Sequence, residues 1–115
     1  MRNSFFIVLA LLIFVNCSKK QAQKPSNVLT RDQMVRVLID VHILEAKIKK
    51  LYLPRDSSQL IYNHYEEMLF DDLGITKEQY AESTAYYIDE IDEMKDIYNQ
   101  VVDSLLARQK LNNAY

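Results

Sequence analysis

Apolar residues recur at helical spacing in three separate stretches of this chain. In the first stretch they lie three to four positions apart, which places them on one face of an α-helix. They are Met34, Val37, Leu38, Val41, Leu44, Ile48 and Tyr52. Thr30 and Gln33 have the spacing of a capping box, and Leu29 can pack on Met34 across the helix start. Pro54 is predicted to end this helix.

A second helix is predicted to begin at residues 56–58, with Gln59 as the capping partner of Asp56. One side of this helix is apolar and carries Leu60, Ile61, Tyr65, Met68 and Leu69. Gly74 stands where a helix commonly ends on a left-handed residue. The second helix is therefore expected to stop there.

A third helix begins with a repeat of the same start signal. Thr76 and Gln79 form the second capping box, and Ile75 can pack on Tyr80. The apolar stripe then comprises Tyr80, Thr84, Tyr87, Ile91, Met94, Tyr98, Val101, Val102 and Leu105. Because no Gly or Pro interrupts it, one long helix is predicted to reach about Gln109 and to overhang its neighbours.

These elements predict an all-α fold, a three-helix bundle with a long C-terminal helix, over residues 29–112. The chain has one Gly and two Pro, which leaves few places for the tight turns that strand-rich folds need. Short connections make consecutive helices antiparallel. The second helix is therefore expected to lie between the first and the third.

Residues 1–16 have the layout of a lipoprotein signal peptide. Arg2 is followed by an apolar run of eleven residues, 5–15, which fits a signal region of about 7–15 residues and is short of the roughly 20 that span a membrane. Cys17 follows in the position of a cysteine that is acylated. Phe14 and Asn16 depart from the Leu and the small residue usual at those positions of the lipobox. The alternative is an ordinary secretory signal with an incidental Cys17.

Residues 17–28 are expected to comprise the lipidated cysteine and a flexible tether, since residues 18–27 are polar and lack apolar periodicity. The partner implied by lipid on Cys17 is a membrane. A single cysteine excludes an internal disulfide and a zinc cluster built on cysteines. The formal net charge of −2 is not the basic balance of a nucleic-acid-binding protein.

Glu45 interrupts the apolar face of the first helix. A helical wheel places it between Val41 and Ile48, and a buried carboxylate needs a partner. That partner is expected to be a tyrosine hydroxyl or the histidine of a neighbouring helix, unless the bundle opens at this position. Alternatively, Glu45 is a ligand or an acid/base group in a small polar pocket.

Two His-x-x-Glu pairs, His42 with Glu45 and His64 with Glu67, stand on adjacent predicted helices. Di-metal bundles use Glu-x-x-His pairs and further carboxylates on four helices, whereas here the order is reversed and one helix fewer is predicted. Half-exposed histidines are therefore the expectation. No metal or other cofactor is predicted.

Three groups of residues resemble one known family. They are residues 37–46, then 74–76 with 78–80, Ser83 and 86–87, and lastly 97–98 with Val101 and Leu105. This pattern resembles the Bacteroidota envelope lipoprotein family known as domain of unknown function 4296, over about residues 25–107. The resemblance implies an envelope lipoprotein and supplies no reaction. It draws attention to Asp40, His42 and Glu45, which with His64 form the candidate polar patch.

The resemblance also bears on location. In Bacteroidota lipoproteins, acidic residues just after the cysteine look like the signal for surface display, whereas Ser18, Lys19 and Lys20 stand there in this chain. We therefore expect lipid anchoring on a periplasm-facing leaflet, with the outer membrane favoured.

The leading functional hypothesis is a non-enzymatic module that docks onto another envelope protein. Leu106 and Leu111 lie off or beyond the main stripe and are the candidate contact residues. The alternative is a small-ligand or metal-binding lipoprotein that uses His42, Glu45 and His64. No nucleophile elbow, zincin motif or phosphate-binding loop occurs in the sequence.

Overall fold

The computed structural model describes residues 24–113, which form four α-helices and no strand. The helices are α1 (Arg31–Lys49), α2 (Arg55–Leu73), α3 (Lys77–Asp89) and α4 (Ile91–Asn112). The all-α prediction is confirmed, and the expected count of three helices is wrong. The signal peptide and Cys17 lie outside the described residues.

Both predicted capping boxes are present. The Thr30 hydroxyl accepts a hydrogen bond from the Gln33 backbone N–H, and the Gln33 side chain accepts one from the Thr30 N–H. Thr76 and Gln79 repeat this arrangement at the start of α3. Each box satisfies two backbone donors that a helix start leaves unpaired.

The predicted capping role of Asp56 is wrong. Pro54 is the residue that precedes α2, with φ −53°, and no side chain caps this start. Pro54 itself lies outside the helix, with ψ 152°, so α2 begins at Arg55 and Asp56 lies within its first turn. The end of α2 is as predicted, because Gly74 adopts the left-handed conformation with φ 67°.

The long third helix of the prediction is divided in two at Glu90. This residue has φ −99° and ψ 70°, outside the helical region, and serves as the C-cap of α3 and the N-cap of α4. Asp92 and Glu93 occupy the first turn of α4. Acidic side chains stabilise a helix start through the helix dipole, so the acidic run suits a new helix better than the middle of a continuous one.

Helix α1 occupies the centre of the bundle, since it packs against both α2 and α4. The expectation that the second helix separates the first from the third is therefore wrong. Arg31 pairs with Asp96 at 3.1 Å and Asp40 with Arg108 at 3.8 Å. These pairs follow the same order along both helices, so α1 and α4 run in the same direction.

The core collects side chains from α1, α3 and α4. The largest fully buried side chains are Tyr87, Met34, Ile97, Val37 and Val101. Phe70 adds α2 to the same cluster, and Val28 and Leu29 add the segment before α1.

The segment before α1 is bound to α3. We call residues 24–29 the N-terminal strap. The Leu29 N–H donates to the Ser83 hydroxyl at 2.8 Å, and the Tyr87 hydroxyl donates to the Leu29 carbonyl at 2.9 Å. Lys24 donates to the Tyr87 hydroxyl at 2.6 Å and Asn27 to Glu82 at 2.7 Å. The last part of the expected flexible tether therefore packs against the helices.

Candidate functional site

A group of tyrosines and carboxylates connects three helices of the bundle. We call it the aromatic–acidic cluster and define it as Tyr62 and Glu66 on α2, Tyr80 on α3 and Glu45 on α1. Glu66 is its buried member, with 10% of the side chain exposed. Its carboxylate accepts hydrogen bonds from the Tyr62 hydroxyl at 2.9 Å and from the Lys77 ammonium at 3.1 Å. Glu66 thereby joins α2 to the start of α3.

The cluster alters the acidity of its tyrosines. Burial, and then the hydrogen bond to Glu66, raise the pKa of Tyr62 well above its ordinary value. Burial, and then the nearby Tyr98, raise the pKa of Tyr80. The carboxylate of Glu45 acts in the same direction on both. All these effects disfavour a phenolate, so the tyrosines serve as neutral hydrogen-bonding groups.

Glu45 itself is exposed. The His42 Nδ1 donates to its carboxylate at 3.0 Å, and both side chains belong to α1. The histidine partner is thus on the same helix rather than on a neighbouring one. Glu45 also lines an open cleft with Ile48 and Tyr62, which matches the expected arrangement in which the bundle opens at this position.

The other two residues of the candidate polar patch lie apart from this pair. Asp40 is half-buried and faces Arg108 of α4. His64 is exposed on α2, and its ring contacts Tyr65 with 5.6 Å between centroids. No hydrogen bond, ion pair or ring contact found within residues 24–113 joins His64 to His42 or Glu45.

A metal site needs three or more protein ligands that converge on one point. Across the described part of the chain, no group of three His, Cys, Asp or Glu side chains is close enough to hold an ion. The arrangement required by the metal-binding alternative is therefore not found among these residues.

Residues 25–111 match the family described as Domain of unknown function (DUF4296). The chain belongs to this family. No curated protein and no solved structure matches it significantly. The DUF4296 match includes every candidate residue named above except Cys17, which precedes it.

One face of α4 in the DUF4296 domain carries apolar side chains that the other residues of the described range 24–113 leave exposed. Ile91, Tyr98, Val102 and Leu106 are all exposed, and their spacing of seven, four and four positions aligns them along the helix. We call them the α4 stripe. Its first part, with Ile88 and Met94, forms an open hollow lined almost wholly by apolar atoms. Leu111 is also exposed, beyond this stripe.

Among the helices of residues 24–113, none is both long and apolar enough to cross a bilayer.

Sequence reasoning missed Glu66 and Tyr62 as the centre of the cluster. They lie four positions apart, a spacing at which side chains on one helix meet, and this signal was present in the sequence. The role of Lys77 carried no local signal. Lys77 lies eleven positions after Glu66, and their contact depends on how α3 packs against α2. The four-residue Tyr–Glu spacing indicates the pairing of Tyr62 with Glu66 within α2, but not the burial of Glu66.

Proposed function

We propose that this protein is a lipid-anchored, periplasm-facing module of the cell envelope, with a non-enzymatic role in binding another envelope protein. The resemblance of its sequence to a Bacteroidota lipoprotein family supports the envelope and the lineage. The signal-peptide pattern of residues 1–16 and the position of Cys17 support the anchor.

The α4 stripe is the observation that carries the interaction role. Exposed apolar residues are ordinary when scattered singly, whereas a contiguous set of them marks an interaction surface. Asp92 directly follows Ile91, and Asp103 directly follows Val102. Each aspartate therefore lies about 100° around the helix axis from its stripe residue. Lys95 lies on the stripe face and lines the same hollow. The surface therefore fits a partner with an apolar ridge flanked by side chains of both charges.

Photocrosslinking in intact cells tests this proposal. A photoreactive amino acid at position 102 or 106 should capture the same envelope protein. The same label at Gln100, an exposed residue half a turn away on α4, should not capture it. Val102→Asp should abolish capture from position 106 while the helix content measured by circular dichroism stays unchanged. Equal capture from positions 100 and 106 would contradict the proposed surface.

The anchor is tested separately by metabolic labelling with a fatty-acid analogue. Wild-type protein should incorporate the label and remain with the membrane fraction. Cys17→Ala should incorporate none, because the thiol is the acylation site. Label in the Cys17→Ala protein would refute lipidation at this residue and leave the α4 surface unaffected.

A further inference from the structure

The connection between α1 and α2 displays three apolar side chains in succession. Leu51, Tyr52 and Leu53 are all exposed, and Tyr52 is 93% exposed, the most of any large hydrophobic residue in the described chain. Tyr52 also has φ 50°, the one residue other than Gly with positive φ among residues 24–113. Side chains rarely adopt this conformation. We call residues 51–53 the apolar tip.

Hydrogen bonds hold the apolar tip from both sides. The Leu51 N–H donates to the Ile48 carbonyl at 3.0 Å and the Tyr52 N–H to the Lys49 carbonyl at 3.4 Å. On the other side, the Ser58 hydroxyl donates to the Leu53 carbonyl at 3.3 Å. The exposure of the tip is therefore part of the folded structure and does not come from a frayed helix end.

Basic side chains surround the tip. Lys47, Lys49, Lys50 and Arg55 fall within nine residues that contain no acid, although residues 24–113 hold 16 acidic and 11 basic residues in all. None of the four takes part in an ion pair within those residues. Lys49 and Arg55 also line the open cleft beside the tip, which has a volume of about 460 Å³ and includes one carboxylate, that of Glu45.

We propose that the apolar tip and its basic surround form a docking site for an anionic lipid surface. Leucine and tyrosine side chains insert at the boundary between headgroups and acyl chains, and tyrosine is enriched at that depth. Lysine and arginine beside them are attracted to anionic headgroups. A helix C-terminus accounts for Lys47 and Lys49 through its dipole, and it leaves the exposed leucines and tyrosine unexplained.

The tip and the strap stand at opposite ends of α1. A helix of 19 residues is about 28 Å long at 1.5 Å per residue. Cys17 precedes Lys24 by seven residues, which span at most roughly 25 Å. A lipid on Cys17 and the apolar tip can therefore reach one bilayer together when the axis of α1 runs parallel to its surface. The tip contact itself does not depend on the lipid.

The chain contains no tryptophan, so Tyr52→Trp introduces a single fluorescent reporter at the tip. The full chain carrying this change is mixed with vesicles of phosphatidylcholine alone or with phosphatidylglycerol added. With the anionic vesicles we expect a blue shift of the emission, and quenching when brominated lipids are used. Replacing Lys49 and Lys50 with Gln should shift the docking equilibrium about fivefold toward the free tip for each lysine removed.

Ile91→Trp is the matched control, because Ile91 is 74% exposed and stands between Glu90 and Asp92. Its emission should not change with either kind of vesicle. Absence of quenching at position 52, equal quenching in neutral vesicles, or equal quenching at position 91 would each overturn the docking site. An acidic protein as the true occupant would give the first of these results. Co-flotation of the protein with neutral vesicles reports the lipid anchor independently.

Discussion

Glu66 is the residue on which the connection between α2 and α3 depends. Its carboxylate is nearly buried and accepts bonds from Tyr62 and Lys77. The bond from Tyr62 is the more protected of the two, since the Lys77 side chain is 70% exposed and exposed ion pairs contribute little. The functional candidates of the sequence, the half-buried His42 and the exposed Glu45, are by contrast bonded to each other within one helix.

Glu66→Ala should lower the free energy of unfolding by about 1 kcal/mol, because it removes the hydrogen bond that the half-buried Tyr62 hydroxyl donates. Urea denaturation followed by circular dichroism measures the loss. Glu67→Ala, at an exposed neighbouring position, should change stability by no more than about 0.5 kcal/mol. Equal effects of the two substitutions would show that the buried carboxylate contributes nothing specific.

Tyr62 makes the stability of the domain depend on pH in the alkaline range. Its pKa is raised above the ordinary value of 10.0 by burial and by Glu66. The folded protein therefore keeps this proton where the unfolded chain loses it. The stabilisation is complete below pH 10 and declines as the pH rises toward the folded pKa. Tyr62→Phe should show a shallower loss of stability between pH 9 and 11 in denaturant titrations. Identical slopes for both proteins would contradict this assignment.

At the scale of the elements, the helix ends are set by single residues. Gly74 ends α2 with φ 67°, and a Cβ placed there would meet no atom within 4 Å. Gly74→Ala should therefore cost about 1 kcal/mol through backbone strain alone. Gly74→Asn should cost less, because Asn tolerates this conformation better. In thermal unfolding, the melting temperature should fall in the order Gly, Asn, Ala at position 74. An Ala variant that melts at the temperature of the wild-type protein would contradict this prediction.

The sequence predicted those elements whose signals are local. The boxes at Thr30 and Thr76 and the stop at Gly74 each depend on residues within a few positions. The break at Glu90 was missed because no Gly or Pro marks it, although the acids that follow suit a helix start. Glu66 was missed because its burial depends on α3. The exposure of Glu45 depends on how α2 packs against α1. A helical wheel of α1 alone does not show this packing.

At the scale of the molecule, the strap closes the structure by joining the chain before α1 to α3. Ser83 is fully buried, and its hydroxyl is the acceptor for the Leu29 N–H. Helix α1 packs on α2 and α4, and α3 packs on α4. The strap gives α3 a second attachment, to the chain before α1.

Ser83→Ala should lower stability by about 1–3 kcal/mol, since it leaves a buried N–H without an acceptor. Hydrogen exchange at the Leu29 amide should become markedly faster. Thr84→Ala is the matched control, because the Thr84 hydroxyl donates to the Tyr80 carbonyl of its own helix and not to the strap. Unchanged exchange at Leu29 in the Ser83→Ala protein would exclude this hydroxyl as the anchor of the strap.

The strap also determines when the protein can finish folding. Leu29 lies 54 positions before Ser83 and 58 positions before Tyr87. The strap is synthesised first and cannot form these bonds until α3 has been synthesised. Contacts of this range close late, because the entropy of a long loop must be overcome first. A ribosome must therefore complete α3 and the half of α4 that carries Ile97 and Val101 before the core can form. In the export that we propose, the strap and α1 would cross the membrane ahead of the helices that bind them.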